Sequence, residues 1–380
     1  MKSIIIEEAQ MICHAGESPA SALHAMQSGG VPPMESESIA GAQVPVARVS
    51  SPLPTPTPAE YATRTNALIQ KCLEKLTPAH YGVAPERLGV VLGSSNAGIE
   101  EFHQAWRSGS PTPTDWQRLE PGNVAAFVAQ SIGAKGPAYT ISTACSSAAK
   151  SLASAARLLE AGVCDAVIAG GGDALCRFAL EGFNALHLIA GQQCTPFMLN
   201  GGGINHGEGA ALFVLTRRAP VHGDIELRGY GETADAHHMT TPDPSGTQAA
   251  RAMQQALSMA HLAPEDIDYI NMHGTGTDAN DLMELNAITA VFHHQCPPCS
   301  STKPFTGHCL GAAGAVEAAL CVALLQANTD KLPLSAPEAV PSGYEHICFS
   351  PTARRPVKNC MSNSFAFGGN NISLILSRHD

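Results

Sequence analysis

Apolar and polar positions along this chain follow two periods in turn. Short runs of β-branched and apolar residues bounded by glycine or charge predict strands at Ser3–Met11, Arg87–Gly93, Cys164–Ala169 and Gly207–Leu215. Helical spacing appears in Ala59–Leu76, through Tyr61, Ala67, Leu68, Cys72 and Leu76, and again in Gly122–Ile132. The stretch Ala138–Gly162 joins both periods. Tyr139, Thr140 and Ile141 predict a buried strand; Ala148, Ala149, Leu152, Ala153, Ala155, Ala156, Leu158 and Leu159 then predict a helix that stops at Gly162. That helix is apolar on nearly every side, which marks it as a core element. Gly170-Gly171-Gly172 closes the strand that follows, while residues 28–60 and Ser108–Thr114, rich in Gly, Pro and Ser, read as irregular surface chain.

After Thr216–Pro220 the plan repeats. Asp224–Tyr230 and Ile267–Met272 predict strands, Gln248–Ala260 and Ala279–Val291 helices. Cys299–Lys303 leads through Thr306-Gly307-His308 into Leu310–Gln326, whose alanines (312, 313, 315, 318, 319, 323) match the small-residue helix of the first half. Alternating strands and helices predict an α/β fold with mainly parallel sheets, in two similar halves, 1–220 and 221–380. Their small-residue helices suit close packing between the sheets.

Composition narrows the classes. A chain of 380 residues can bury a large core. Charged residues are 14% of it, against about 25% in average soluble proteins, so an extensive subunit interface is expected. A net charge of −11 with no basic run excludes general nucleic-acid binding. Twelve cysteines without regular spacing are no disulfide framework and predict a reducing, cytoplasmic setting. No signal-peptide core follows Met1-Lys2-Ser3, and no uninterrupted apolar run reaches the ~18 residues of a membrane span.

Four clusters carry candidate chemistry. Cys145 lies at the strand-to-helix turn, beside free N–H groups that favour a thiolate. His273-Gly274-Thr275-Gly276-Thr277 follows a strand. Ser301-Thr302-Lys303-Pro304-Phe305-Thr306-Gly307-His308 precedes the second small-residue helix, and Asn363-Ser364-Phe365-Ala366-Phe367-Gly368-Gly369-Asn370-Asn371 lies near the C-terminus. With Gly229–Pro242 (GYGETADAHHMTTP) and the GAAGAVE run, these motifs resemble the β-ketoacyl-[acyl carrier protein] synthases of the Cys-His-His, elongating type II branch, over about Val90–Ser377. The first ninety residues match that family only loosely.

The resemblance implies a thiolase-like fold with layers α-β-α-β-α. It also implies decarboxylative Claisen condensation of an enzyme-bound acyl group with malonyl-acyl carrier protein, in fatty-acid or polyene/polyketide synthesis, an aryl polyene pathway being the first expectation. Cys145 is then the nucleophile. The backbone N–H groups of Cys145 and Phe367 form the oxyanion hole, and neutral His273 and His308 donate to the enolate formed on decarboxylation. Lys303 holds the electrostatics and orders His308, with Glu317 as its buried partner. Thr275 and Thr277 bind the phosphopantetheine arm, and Phe367 gates the pocket on Gly368-Gly369. Ala366 and Asn370 stand where Gly and Thr are usual, which predicts a stiffer gate. The expected partners are an acyl carrier protein and a second subunit, either a copy of this chain or a chain-length-factor-like protein. Arg64, Lys71 and Lys75, or Arg354, Arg355 and Lys358, are candidate carrier-docking patches. No metal or organic cofactor is implied beyond the carrier's phosphopantetheine. Two other classes remain: a coenzyme A-dependent thiolase with a second cysteine as base, and a non-catalytic or metal-binding scaffold built on His293-His294 and Cys296/Cys299. Leu199–Gly209, rich in glycine, lacks the Gly-Lys-Ser/Thr ending of a phosphate loop.

Overall fold

The computed structural model describes residues 2–77, 82–198, 202–293, 295–333 and 340–380. The first half holds β1 (Ser3–Cys13), α1 (Pro19–Ser28), β2 (Glu35–Ile39), β3 (Ala42–Val46), α2 (Arg64–Leu73), β4 (Leu88–Gly93), α3 (Ile99–Arg107), α4 (Pro113–Leu119), α5 (Asn123–Ile132), β5 (Ala138–Ile141), α6 (Ser147–Glu160), β6 (Ala166–Asp173), α7 (Arg177–Ala185) and β7 (Gly209–Arg218). The second holds β8 (Ile225–Ala234), α8 (Thr247–Ala260), β9 (Tyr269–Asn271), α9 (Asp278–Phe292), β10 (Cys299–Ser300), α10 (Lys303–Thr306), α11 (Ala313–Ala327), β11 (Asn359–Ala366) and β12 (Asn370–Arg378).

Ten strands join in the order β10-β9-β11-β12-β8-β1-β7-β6-β4-β5. Cut between β8 and β1, each half contributes five strands with one topology: third, second, fourth, fifth, first. Their directions agree as well. β1/β7 and β6/β7 are antiparallel, like β8/β12 and β11/β12, while β4/β5 and β4/β6 are parallel, like β9/β10 and β9/β11. The seam is slight, with only Ile5–Glu226 and Ile6–Ile225 in register. Two similar α/β halves are thus present, and strand directions are mixed rather than mainly parallel.

Alternation along the strands builds the layers. On β7, Ala211, Phe213 and Leu215 face a central core with α6 and α11, while Ala210, Leu212 and Val214 face α2 and α5. On β12, Ile372, Leu374 and Leu376 face the same central core, and Ile375 turns toward α8 and α9. Successive side chains on a strand point to opposite faces. The small-residue helices therefore fill the middle layer, where short side chains let them approach both halves of the sheet. The window Leu310–Ala327 has a mean hydropathy of 1.7 and is long enough to cross a membrane, yet 89% of it is buried inside the fold.

Several expectations need correction. β5 is an edge strand with Ala138 and Tyr139 exposed, not a buried one. Residues 28–60 contain the β2–β3 hairpin, and α3 and α4 flank the proline-rich loop. Gly170, Gly171 and Gly172 lie inside β6 rather than ending it. A side chain at Gly171 would meet the Gly93 carbonyl oxygen at 2.1 Å, and one at Gly93 the Ala148 nitrogen at 2.2 Å. Those glycines let the start of α6 sit directly on β4 and β6, and that contact fixes the height of Cys145.

Candidate active site

Cys145 sits on the turn between β5 and α6. Ala144 is held at φ +52°, a conformation rare for a residue with a Cβ. Bonds from Thr143 N to Ser147 Oγ (2.8 Å) and from Ser146 Oγ to Thr143 O (2.8 Å) fasten the turn. The thiol is buried and faces His308 Nε2 at 2.9 Å. His273 completes the cluster, its donor atom and those of Cys145 and His308 all lying within 4.8 Å of one another. The two imidazoles meet edge to face, with centroids 5.5 Å apart.

Burial pushes the Cys145 thiol up to about 11, against the Lys303 charge and the backbone N–H groups of Phe367 and Cys145, all of which favour the thiolate. The expected helix-terminus activation is thus present in kind but outweighed by desolvation. At rest the sulfur carries its proton, and ionisation needs a base. The Phe367 and Cys145 N–H groups, which favour a negative sulfur, are the pair expected of an oxyanion hole.

Burial also holds His273 and His308 well below the usual histidine range, with help from the Lys303 charge. Both are neutral at neutral pH. Lys303 Nζ bonds to the His273 carbonyl and to Glu317 Oε1, and lies 3.4 Å from His273 Nδ1. An ammonium beside Nδ1 favours the tautomer with its proton on Nε2. Lys303 therefore orders His273, not His308; its expected pairing with Glu317 is present. Its charge also opposes a dication at the Cys-His-His cluster.

Lys303 and Glu317 are 1% and 2% exposed, respectively. Glu317→Ala would strand a buried ammonium, so it is expected to cost about 3–5 kcal/mol of stability in denaturant unfolding. A loss below about 1 kcal/mol would show that the pair is not the strut drawn here.

Two carboxylates missed in the sequence hold the His273 loop from α9. Glu284 accepts the N–H groups of His273 and Gly274, both at 2.9 Å, and Asn363 Nδ2 at 3.2 Å. Asp281 accepts Phe197 N at 2.7 Å and Gly276 N at 3.2 Å. The available signal was their i, i+3 spacing at the start of a helix just after a glycine-rich turn. Asp173 does similar work across the halves: it accepts the N–H groups of Ser95 (2.9 Å), Asn96 (2.9 Å) and Gly311 (2.7 Å), tying β6 to the chain after His308.

Burial raises Asp281 and Glu284 to about 7. A carboxyl group raised in the folded state gives stability that is complete below its unfolded pKa, about 4, and lost as pH climbs through the folded value. The lowered histidines act oppositely, losing stability as pH falls below about 6.5. The carboxyl contribution therefore declines from about pH 4 to about pH 7 and is level above, so Asp281→Asn, which lacks that decline, is expected to gain melting temperature relative to the wild type as pH rises through this range. A difference between variant and wild type that stays constant from about pH 4 to about pH 7 would refute the assignment.

A cleft of about 510 Å³ opens onto the cluster, lined by Cys145, His273, His308, Thr275, Thr277, Phe367 and Gly368. Thr275 and Thr277 join hydroxyls at 3.0 Å along one wall. Phe367 stacks on Phe183 at 5.3 Å, and Phe183 meets buried His206 edge-on at 4.6 Å. His206 bridges by backbone to His308, and neither of its ring nitrogens finds a partner among the described residues. Phe183 and His206 were not singled out in the sequence. Gly368 and Gly369 take φ +77° and +70°, and a side chain at Gly369 would meet Asp235 Cβ at 2.7 Å. Ala366 ends β11 at φ −103°, a conformation open to any residue.

The other candidates separate from this site. Arg64 turns inward, with its Nε on buried Glu208 at 2.8 Å, which removes it from the first docking patch. In the second patch, Arg355 pairs with Asp268 and Lys358 with Asp380. Cys296 and Cys299 touch, but among the described residues Cys145, His273 and His308 are the one group of three potential metal ligands. His294 and residues 199–201 of the glycine-rich stretch lie outside the described residues.

Comparison with known proteins places this geometry. Residues 64–220 match the family model described as beta-ketoacyl synthase, N-terminal domain, and residues 225–334 match the C-terminal domain. Nodulation protein E of Rhizobium meliloti is 36% identical over 304 residues, 76% of this chain and 75% of that protein. The 3-oxoacyl-[acyl-carrier-protein] synthase 2 of Staphylococcus aureus (strain COL) is 33% identical over 316 residues, 78% of this chain and 76% of that one. The ketosynthase ApeO of Xenorhabdus doucetiae, solved in complex with its chain length factor ApeC, superposes with a TM-score of 0.90 at 35% identity, covering 100% of this chain and 98% of that one.

Proposed function

The chain belongs to the β-ketoacyl synthase family, and from that premise we propose how its residues divide the work of a 3-oxoacyl-[acyl carrier protein] synthase. It is an acyltransferase that condenses an enzyme-bound acyl group with malonyl-acyl carrier protein. The observation that carries the division of labour is the 2.9 Å contact between Cys145 Sγ and His308 Nε2.

In the first half-reaction His308 takes the thiol proton as Cys145 attacks the carrier-bound thioester. The tetrahedral oxygen is held by the N–H groups of Cys145 and Phe367, each such donor being worth roughly 2.7–4 kcal/mol. The carrier's phosphopantetheine thiolate departs with the proton from His308, leaving the acyl group on Cys145. Thr275 and Thr277 hold the phosphopantetheine arm along the cleft wall. In the second half-reaction the neutral imidazoles of His273 and His308 donate to the malonyl thioester oxygen as carbon dioxide leaves. The resulting enolate attacks the acyl carbonyl, and Cys145 leaves as the thiolate, which takes up one proton from solvent to restore the resting thiol. Phe367 controls passage to the acyl side. No metal or organic cofactor takes part in this scheme. The halves divide at about residue 220.

The second subunit we favour is a chain-length-factor-like protein. In support, β5 leaves one edge of the sheet without a strand partner among the described residues, and Trp106 and Trp116 stand exposed on α3 and α4 nearby in sequence. The twelve cysteines, all free thiols, suit a reducing compartment such as the cytoplasm.

The test is condensation with malonyl-acyl carrier protein, with and without a co-expressed chain-length-factor-like subunit. A 3-oxoacyl product on the carrier is expected, and coenzyme A thioesters are expected to be poor substitutes. Equal turnover of acetyl-coenzyme A pairs without malonate would return the thiolase reading.

A further inference from the structure

Cys296 and Cys299 take no part in the chemistry above, yet they form a built pair. Their sulfurs lie 3.4 Å apart, and both converge on the Pro297 carbonyl, at 3.3 and 3.0 Å. The side chains are almost wholly buried, at 3% and 0% exposure. The backbone around them is pinned: Cys299 N donates to Cys348 O at 2.7 Å, and Ile270 N to Pro298 O at 3.0 Å. Two prolines between the cysteines fix φ and leave the segment few other conformations. A disulfide requires the sulfurs to close to about 2.05 Å, a shift small enough for side-chain rotation while those backbone bonds persist.

The two thiols are not equivalent. A hydrogen bond with Cys299 holds Cys296 below the usual thiol range, while burial drives Cys299 well above it. One sulfur is the better nucleophile and the other retains its proton. A cleft of about 190 Å³ lined by Gln295, Pro297, Pro298 and Arg355 borders the two prolines, with neither sulfur in its lining, so a small oxidant reaches Cys296 through local opening of the loop. Cys321 on α11 and Cys360 on β11, a second pair of neighbouring thiols, lie in the central core.

We propose that Cys296 and Cys299 are a redox-active dithiol that hydrogen peroxide oxidises to an intrachain disulfide. Cys296 attacks one peroxide oxygen, breaking the O–O bond, to give a sulfenic acid and one water. Cys299 then attacks the Cys296 sulfur, forming the S–S bond and expelling the sulfenic oxygen as a second water with the Cys299 proton. Two electrons pass from the sulfurs to the peroxide, and a small dithiol reverses the step. Cys299 stands two residues before Ser301, whose hydroxyl holds Gly274 O at 2.8 Å, so oxidation occurs at the root of the strand that delivers Lys303.

The test uses the whole chain, reduced and then exposed to hydrogen peroxide, with free thiols alkylated before peptide mapping. The expected result is a peptide carrying a 296–299 disulfide, lighter by two hydrogens and regained as two alkylatable thiols on adding dithiothreitol. In Cys299→Ser the expected product is a Cys296 sulfenic acid trapped by dimedone. Both cysteines remaining alkylatable at peroxide doses that oxidise other thiols of the chain would overturn the proposal. So would sulfinic acid at Cys296 of the wild-type chain with no disulfide. The wild-type map decides the matter even if the serine variant fails to fold.

Discussion

Replacing His308 with alanine is expected to impair both half-reactions, whereas replacing His273 should impair chiefly decarboxylation. His308 Nε2 is the group placed to take a proton from a thiol that burial keeps near 11. Losing that base should slow acyl-enzyme formation by roughly 10²–10⁴-fold, the usual range for a positioned general base. It should also slow carbon dioxide release, because one of two enolate donors is gone. His273 is anchored by Lys303 and Glu284 and stands across from His308 rather than on the sulfur. Its loss should cost decarboxylation roughly 10²–10³-fold, the effect of removing one preorganised donor, and leave acyl uptake nearly unchanged. Single-turnover acyl transfer and carbon dioxide release, measured on both variants, separate these outcomes. A His308→Ala protein that takes up acyl groups at the wild-type rate would remove the proton-transfer role.

The second large effect is expected for Cys145→Ala. Without the sulfur there is no covalent intermediate, and condensation should fall by more than about 10⁴-fold. Slow decarboxylation of malonyl-acyl carrier protein should persist, because His273, His308 and Lys303 remain in place. Loss of both activities with a native melting temperature would mean that the thiol itself takes part in decarboxylation.

Much of this architecture is legible in the sequence. Strands β4, β6 and β7 are near-continuous apolar runs because both of their faces are covered. The small-residue character of α6 and α11 matches their place in the middle layer. β11 was not legible, since the face it shares with β12 carries Asn359, Asn363, Ser373 and Ser377, whereas β12, passed over, does alternate Ile372, Leu374 and Leu376 on its other face. Those side chains satisfy one another, Ser373 Oγ to Asn363 Oδ1 at 2.8 Å and Ser377 Oγ to Asn359 Oδ1 at 2.7 Å. A hydrophobic pattern cannot register a buried face that is held by polar bonds.

The site divides in the same way. Cys145, His273, Lys303, His308 and Phe367 were all named from local motifs; the fold brings four of them to one cleft and sets Lys303 behind His273. Which histidine Lys303 serves was not readable, because sequence spacing does not say how α10 packs on β9. The thiol's ionisation was misjudged for a related reason. A helix start is visible locally, whereas desolvation by distant elements is not. Asp281, Glu284 and Asp173 look like ordinary polar positions until their backbone partners are seen.

The central claim is that Cys145 carries the acyl group. Incubating the protein with acyl-loaded acyl carrier protein and recording intact mass, followed by peptide mapping, tests it most directly. The account predicts one acyl adduct per chain, mapped to the Cys145 peptide and absent from Cys145→Ala. An adduct of equal occupancy on the alanine variant would contradict it.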